Sequence, residues 1–337
     1  MIILEAVNSS FSVFFRGQTL TTDAPPRGRV WWFRALQTVV LIGAAYYLGR
    51  IAGPQWAAIR TRDLAWRPVP LLASAALVWV TLAIFLAAWT WSLRWCAVRV
   101  RYLDAARIWF TANLARFIPG TVWQFASLAA LATRYGVSPL AATATVLLEQ
   151  VVLLITGLAV LAALTPAVLH AAWWQAAFAA AAALGALGLA LPRPGGRLGE
   201  WLGRRVPGVR VLWSGMTAAR LGRFTATLIV PWIIYGIAFR LLALGLLGTP
   251  GGSWGFYIAA FTASYVAGVI AVFAPAGLGV REVVLIGALS PQLGGGDAVI
   301  LAAASRIWLT ALELLGALFV LALPSTLPNS VKATEAQ

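Results

Sequence analysis

The sequence has very few of the residues that build metal sites, disulfide frameworks and nucleophilic active sites. Its 337 residues include one cysteine, Cys96, and one histidine, His170. A lone cysteine excludes an intramolecular disulfide and a thiolate zinc cluster, and one residue of each kind leaves little material for Cys–His catalysis. We therefore expect no metal, no cofactor and no catalytic residue, and an enzyme is the least favoured class of function.

Charged residues are also scarce, at 10% of the chain against 61% hydrophobic residues. Soluble domains average about 25% charged and 45–50% apolar residues, so lipid must be the solvent for much of this chain. The net charge of +15 is carried by arginine, with Lys332 as the only lysine. These arginines lie mostly between apolar runs, as in cytoplasmic loops, which argues against a nucleic-acid partner. The sequence predicts a multi-pass protein of the inner cell membrane.

The order of apolar runs predicts an all-α polytopic membrane protein. Six to eight transmembrane helices and two re-entrant helical hairpins are expected, arranged in an inverted repeat. Residues 104–134 and 255–290, each broken by proline and glycine, are the predicted hairpins. The full spans are predicted at 36–53, 69–93, 140–165, 171–191, 224–248 and 298–323.

The chain is predicted to form one transmembrane domain, residues 31–323, between two tails. The first tail, 1–30, reads as a mobile cytoplasmic segment without a signal peptide, and the second is 324–337. The repeat halves cover about 69–191 and 224–323. Between them lies an arginine-rich cytoplasmic loop, 192–223.

Two stretches carry the repeat, "RFIPGTVWQ" from Arg116 and "FAPAGLGVRE" from Phe273. Gly120 precedes Glu149, and Gly277 precedes Arg306, by the same 29 residues. Proline ends the helix before each break and glycine permits the turn. The segments 121–134 and 276–290 that follow are half-length helices, because 14 residues rise only about 21 Å. Such breaks in corresponding halves point to the binding site of a transporter.

Ionisable residues near the breaks are the candidate substrate-binding residues. Arg281 and Arg306, with the half-helix N-termini, form an anion site in which Glu149 and Glu282 hold the arginines in place. Glu149 and Arg306 are expected to line one cavity, paired directly or with Arg281 between them. The alternative is that these charges only pair and hold the bundle together. The full candidate set is Arg116, Pro119, Gly120, Gln124, Glu149, Gly277, Gly279, Arg281, Glu282, Arg306 and Glu313.

Two further interpretations concern Arg116 and a stripe of aromatic residues. Arg116 can equally reach the membrane interface as a snorkelling side chain. An aromatic stripe is expected to face lipid and the interface; its members are Trp79, Phe85, Trp89, Trp91 and Trp95.

The motifs "ARFIPGTVWQ…RYGVS…LLEQ" (115–150) and "APAGLGVREVVLIGAL…ASRIWLTALEL" (274–314) resemble the flippase-like transmembrane family of lysylphosphatidylglycerol synthetases. The resemblance implies a domain that moves a phospholipid or a polyprenyl-linked headgroup across the bilayer. Many relatives have an arginine where this chain has Gln150. No soluble aminoacyl-transferase domain is expected in this chain.

The favoured function is binding and translocation of an anionic phospholipid or a polyprenyl-phosphate-linked lipid. The sequence contains no GxxxxGK[ST] loop for ATP, so direct ATP-driven transport is not expected. Coupling to protons would involve Glu149, Glu282 or Glu313. The second hypothesis is an accessory membrane protein that presents a lipid-linked substrate to a separate glycosyltransferase. The third is a membrane-embedded transferase with Glu149 or Glu282 as its base.

Overall fold

The computed structural model describes residues 63–115, 122–164, 172–190, 210, 212–213, 215–271 and 274–323. In these ranges every regular element is helical, which confirms the predicted all-α class. The predicted N-terminal tail, all of the C-terminal tail 324–337 and most of the arginine-rich loop lie outside them. The helices bounded within the described ranges are α1 (Pro68–Trp95), α2 (Tyr102–Leu114), α3 (Val122–Arg134), α4 (Pro139–Leu164), α5 (Ala172–Ala190), α6 (Ala218–Leu247), α7 (Trp254–Ile270), α8 (Val280–Leu293) and α9 (Gly295–Ala322).

Four of these helices, α1, α4, α6 and α9, are long and apolar enough to cross a membrane. The shortest of the four has 26 residues, which rise about 39 Å against a hydrocarbon core of about 30 Å. They coincide with the predicted spans 69–93, 140–165, 224–248 and 298–323. The predicted span 171–191 corresponds to helix α5, which has 19 residues. The predicted span 36–53 lies outside the described residues.

Helix α6 begins earlier than the sequence suggested. The Thr217 side chain accepts a hydrogen bond from the backbone N–H of Arg220 at 3.2 Å and so caps the helix. A threonine at this position satisfies one of the backbone donors that a helix start leaves unpaired. The predicted loop 192–223 is therefore too long, because residues 218–223 form the first turns of α6.

Both regions predicted to be broken are pairs of short helices. Helices α2 and α3 have 13 residues each and lie on either side of the first break, of which residues 116–121 are not described. In the second region α7 is followed by a 3₁₀ turn, Pro275–Gly277, and then by α8, which has 14 residues. Each member of a pair packs against the other. A 13-residue helix rises about 20 Å, which is too short to cross a hydrocarbon core of about 30 Å.

Helix α4 lies at the centre of the bundle and packs against α1, α3, α5, α6 and α7. Part of the predicted lipid-facing aromatic stripe on α1 instead belongs to this core. Trp89 is fully buried and its indole N–H donates to Thr145 Oγ1 of α4 at 3.1 Å. Trp95 and Phe85 are also buried. The prediction for these three side chains was wrong because large aromatic rings fill helix–helix interfaces as readily as lipid contacts.

Candidate functional site

A cavity of about 320 Å³ lies between the broken helices and the long spans. Among the helices that the structure describes, all except α5 contribute to its walls, together with the 3₁₀ turn. Most of the lining is apolar or aromatic. The polar and charged side chains that line it are Asn113, Gln124, Glu149, Gln150, Tyr235, Tyr265, Arg281, Arg306, Thr310 and Glu313.

The cavity brings together residues that are far apart in the sequence. Of the predicted site residues, it gathers Gln124 and Glu149 from the first half with Gly277, Arg281, Arg306 and Glu313 from the second. Gly279 and Glu282 are not in its wall. Arg116, Pro119 and Gly120, which form the predicted first glycine turn, lie outside the described residues.

The turn between α7 and α8 has a backbone that most residues avoid. Ala276 (φ 51°), Gly277 (φ 68°) and Gly279 (φ 83°) all have left-handed dihedrals. Glycine adopts this region freely, whereas a residue with a Cβ pays about 1–2 kcal/mol for it. Helix α8 consequently begins at Val280 and not at 276, because the chain has to complete this turn first.

Arg306 of α9 supports this turn. Its guanidinium donates to the carbonyl of Ala276 at 2.8 Å, and its Nε lies 3.7 Å from Glu282 Oε1. The other carboxylate oxygen of Glu282 accepts a hydrogen bond from the backbone N–H of Gly279 at 2.6 Å. Glu282 thus joins the N-terminus of α8 to Arg306, and both side chains are less than one-fifth exposed. The hydrogen bonds to Ala276 and Gly279 offset part of the cost of burying these two charges.

Arg281 points into the cavity from the first turn of α8. Its guanidinium carbon lies 4.7 Å from the centre of the Tyr265 ring and 5.8 Å from that of Phe261, within the range of cation–π contacts. Its aliphatic stem crosses two glycines. A Cβ placed on Gly268 would lie 2.4 Å from Arg281 Cγ, and one on Gly277 would lie 3.1 Å from the same atom. The two glycines therefore leave the space through which the stem passes.

Glu149 reaches the cavity from the middle of α4. The residue is only 4% exposed, and its Oε2 has no hydrogen-bond partner in the part of the chain that the structure describes. It shares the cavity with Arg306, but the described ion pair of Arg306 is with Glu282. The cavity wall contains two arginines, Arg281 and Arg306, and two glutamates, Glu149 and Glu313.

On the first-half side, the two legs of the broken helix are tied together by a polar contact. The Gln124 side-chain amide of α3 donates to Asn113 Oδ1 of α2 at 2.7 Å. Both side chains line the cavity. Arg306, Thr310 and Glu313 do so from one face of α9, as their i, i+4 and i+7 spacing requires.

Sequence reasoning missed the tyrosines of the site. Tyr235 of α6 and Tyr265 of α7 both line the cavity, and Tyr265 lies against Arg281. A tyrosine 16 residues before the arginine, on another helix, leaves no local signal in the sequence. Among the described residues there is no cluster of three or more His, Cys, Asp and Glu side chains that could hold a metal ion.

The comparison with protein families adds an independent finding. Residues 34–317 match the family described as "Lysylphosphatidylglycerol synthase TM region". The match covers most of the chain and every residue that lines the cavity. No curated protein matches the sequence.

Proposed function

We propose that this integral membrane protein binds and translocates a lipid with an anionic headgroup. The chain belongs to the family of the lysylphosphatidylglycerol synthase transmembrane region. The lipid is an anionic phospholipid or a polyprenyl-phosphate-linked lipid. Its phosphate binds in the cavity, while its acyl or prenyl chains remain among the apolar side chains and the surrounding bilayer.

The observation that carries this proposal is the placement of Arg281. A planar guanidinium binds two phosphate oxygens at once, and the cation–π contact with Tyr265 restricts its position. Arg281 belongs to the first turn of α8, and the partial positive charge of a helix N-terminus favours an anion nearby. Support of the turn by Arg306 and Glu282 keeps this geometry in place.

Movement of the headgroup requires the cavity to open to each side in turn. The broken helices α2–α3 and α7–α8 are the elements suited to this, because each short leg can tilt without moving a whole span. Half-helices around a central polar site are the arrangement used by transporters with inverted repeats. The inverted repeat and the re-entrant path of both hairpins form part of this proposal.

A vesicle assay tests the proposal. Purified protein is reconstituted in phosphatidylcholine vesicles that contain acyl-labelled fluorescent phosphatidylglycerol, and a reductant that cannot cross the bilayer quenches the outer leaflet. Wild-type protein should allow nearly all of the label to be quenched. Arg281→Lys keeps the charge but loses the planar fork, so the initial rate should fall at least about tenfold.

The matched control is Arg223→Lys, at an exposed arginine of α6 outside the cavity, which should move the lipid at the wild-type rate. Equal rates for both variants would contradict the role of Arg281. Phosphatidylglycerol binding without any movement would favour presentation of a lipid-linked substrate to a separate glycosyltransferase.

A further inference from the structure

Three glutamates near the cavity differ in how their charge is compensated. Glu282 accepts a hydrogen bond from Gly279 and lies beside Arg306. Glu313 lines the cavity, is partly exposed and has interaction partners. Glu149 is buried, and its Oε2 has no hydrogen-bond partner within the described ranges. Glu149 is therefore the carboxylate whose ionised form the protein stabilises least.

Burying an ionised carboxylate without a partner is so costly that the group takes up a proton instead. A protonated, neutral Glu149 carboxyl group would avoid this cost in the buried position that the side chain occupies. It lines the same cavity as Arg281, the group that we assign to the phosphate. An ionised Glu149 would attract the Arg281 guanidinium and repel a phosphate in that cavity.

Five other ionisable residues of the described chain line this cavity. They are Tyr235 of α6, Tyr265 of α7, Arg281 of α8 and Arg306 of α9, with Glu313 of α9 as the one further carboxylate. Helices α1 and α3 also pack against α4, but the residues with which they line the cavity are not ionisable. These residues are Leu82 and Phe85 of α1 and Gln124, Phe125 and Leu128 of α3. Helix α5 has no titratable residue. Carboxylates are common proton carriers, so Glu149 and Glu313 are the two candidates for an exchanged proton.

We propose that the cavity binds a proton on Glu149 together with the phosphate-bearing headgroup, so that lipid movement is coupled to proton movement. This inference rests on the proposed function. The Glu149 carboxyl group holds the proton while the phosphate is bound to Arg281. On the side where the headgroup leaves, the O–H bond breaks, the proton passes to water, and the carboxylate takes the place of the phosphate beside Arg281. Reprotonation from the opposite side resets the site, so one proton crosses with one headgroup.

Thermodynamic linkage fixes the sign of the expected pH dependence. If binding requires protonated Glu149, the Kd for an anionic lipid rises with pH once Glu149 begins to ionise, by up to about tenfold per pH unit. The probe is fluorescent phosphatidylglycerol, bound to the full-length protein in dodecyl maltoside micelles between pH 5 and pH 9. Its phosphodiester stays ionised over this range.

Glu149→Gln keeps the site permanently neutral, so its Kd should be independent of pH and close to the wild-type value at low pH. The matched control is Asp297→Asn, at an acidic residue of α9 outside the cavity wall, which should retain the wild-type pH dependence. Glu313→Gln should retain a pH dependence as well, because Glu149 is still present in it.

A measurement on wild-type protein covers the case in which Glu149→Gln does not fold. Calorimetric titration with phosphatidylglycerol in two buffers of different ionisation enthalpy gives the number of protons taken up on binding. That number should rise towards one per lipid as the pH is raised.

The two proposals fail in distinguishable ways. Wild-type binding that is independent of pH, with no proton uptake, would overturn the coupling and leave lipid binding intact. A pH dependence that survives in Glu149→Gln and vanishes in Glu313→Gln would overturn the assignment to Glu149. Absence of phosphatidylglycerol binding at every pH would overturn the proposed function itself.

Discussion

At the scale of single residues, the two arginines of the second half illustrate what the sequence reveals and what it hides. Their spacing from the glycine motif predicts that both belong to the site, and both line the cavity. The sequence does not show that Arg306 donates to Ala276, because that contact joins residues 30 positions apart across a turn. The supporting role of Arg306 therefore emerges only from the fold.

A double-mutant cycle tests that supporting role. Glu282→Gln and Arg306→Gln should each destabilise the protein, and their coupling energy should lie between about 0.5 and 3 kcal/mol, as for contacting charged residues. The free energy of unfolding in mixed detergent micelles is the measured quantity. The control cycle pairs Arg306 with Glu149, which shares its cavity without a described ion pair, and its coupling should be smaller. A larger coupling for Glu149 than for Glu282 would contradict the described pairing.

The Gly268→Ala variant tests the path of the Arg281 side chain. The added Cβ would lie 2.4 Å from Arg281 Cγ, so the stem has to move. Overpacking of this kind costs about 1–3 kcal/mol, and phosphatidylglycerol binding should weaken about tenfold. Gly287→Ala on α8 is the matched control, because its Cβ would meet no atom within 4 Å. Equal binding by both variants would show that the position of Arg281 does not govern affinity.

At the scale of helices, the breaks could be read from the sequence because proline and glycine act locally. The exact start of α8 could not, since it depends on the left-handed dihedrals of Ala276, Gly277 and Gly279. Beside the first break, the Gln124 side chain of α3 donates a hydrogen bond to Asn113 of α2. If α2 and α3 separate during transport, a covalent link at that contact should slow lipid movement.

A crosslink between α2 and α3 tests this movement. Cysteines at Asn113 and Gln124, in a Cys96→Ala background, are joined by a short bifunctional thiol reagent. The crosslink should slow phosphatidylglycerol movement at least about tenfold, because the two legs can no longer separate. The same double variant without reagent reports the effect of the substitutions alone. Unchanged movement after complete crosslinking would exclude separation of these legs as a transport step.

At the scale of the whole molecule, composition alone predicted a helical membrane protein, because lipid leaves few alternatives for so apolar a chain. Four of the predicted spans are found as long apolar helices. Which aromatic rings of α1 face the core could not be predicted. The residues of α1 show no apolar face that differs from the rest, since nearly all of them are apolar.

Cysteine labelling tests the predicted orientation of the chain. Single cysteines at Gly203 and Ser330 should react only from the cytoplasmic side, because the arginine-rich loop and the C-terminal tail are predicted there. Gly251→Cys, in the exposed connection between α6 and α7, should react only from outside. Background from Cys96 is small because burial raises the pKa of its thiol, and Cys96→Ala removes it. Labelling of Ser330 from outside would contradict the inverted arrangement.

The central claim, that the cavity around Arg281 holds an anionic lipid headgroup, is tested most directly by native mass spectrometry of the protein released from micelles. Wild-type protein purified with added phosphatidylglycerol should carry one tightly bound phospholipid. Arg281→Gln should lose that adduct, while Arg223→Gln, outside the cavity, should retain it. Equal retention of the lipid by wild-type protein and by Arg281→Gln would contradict the account.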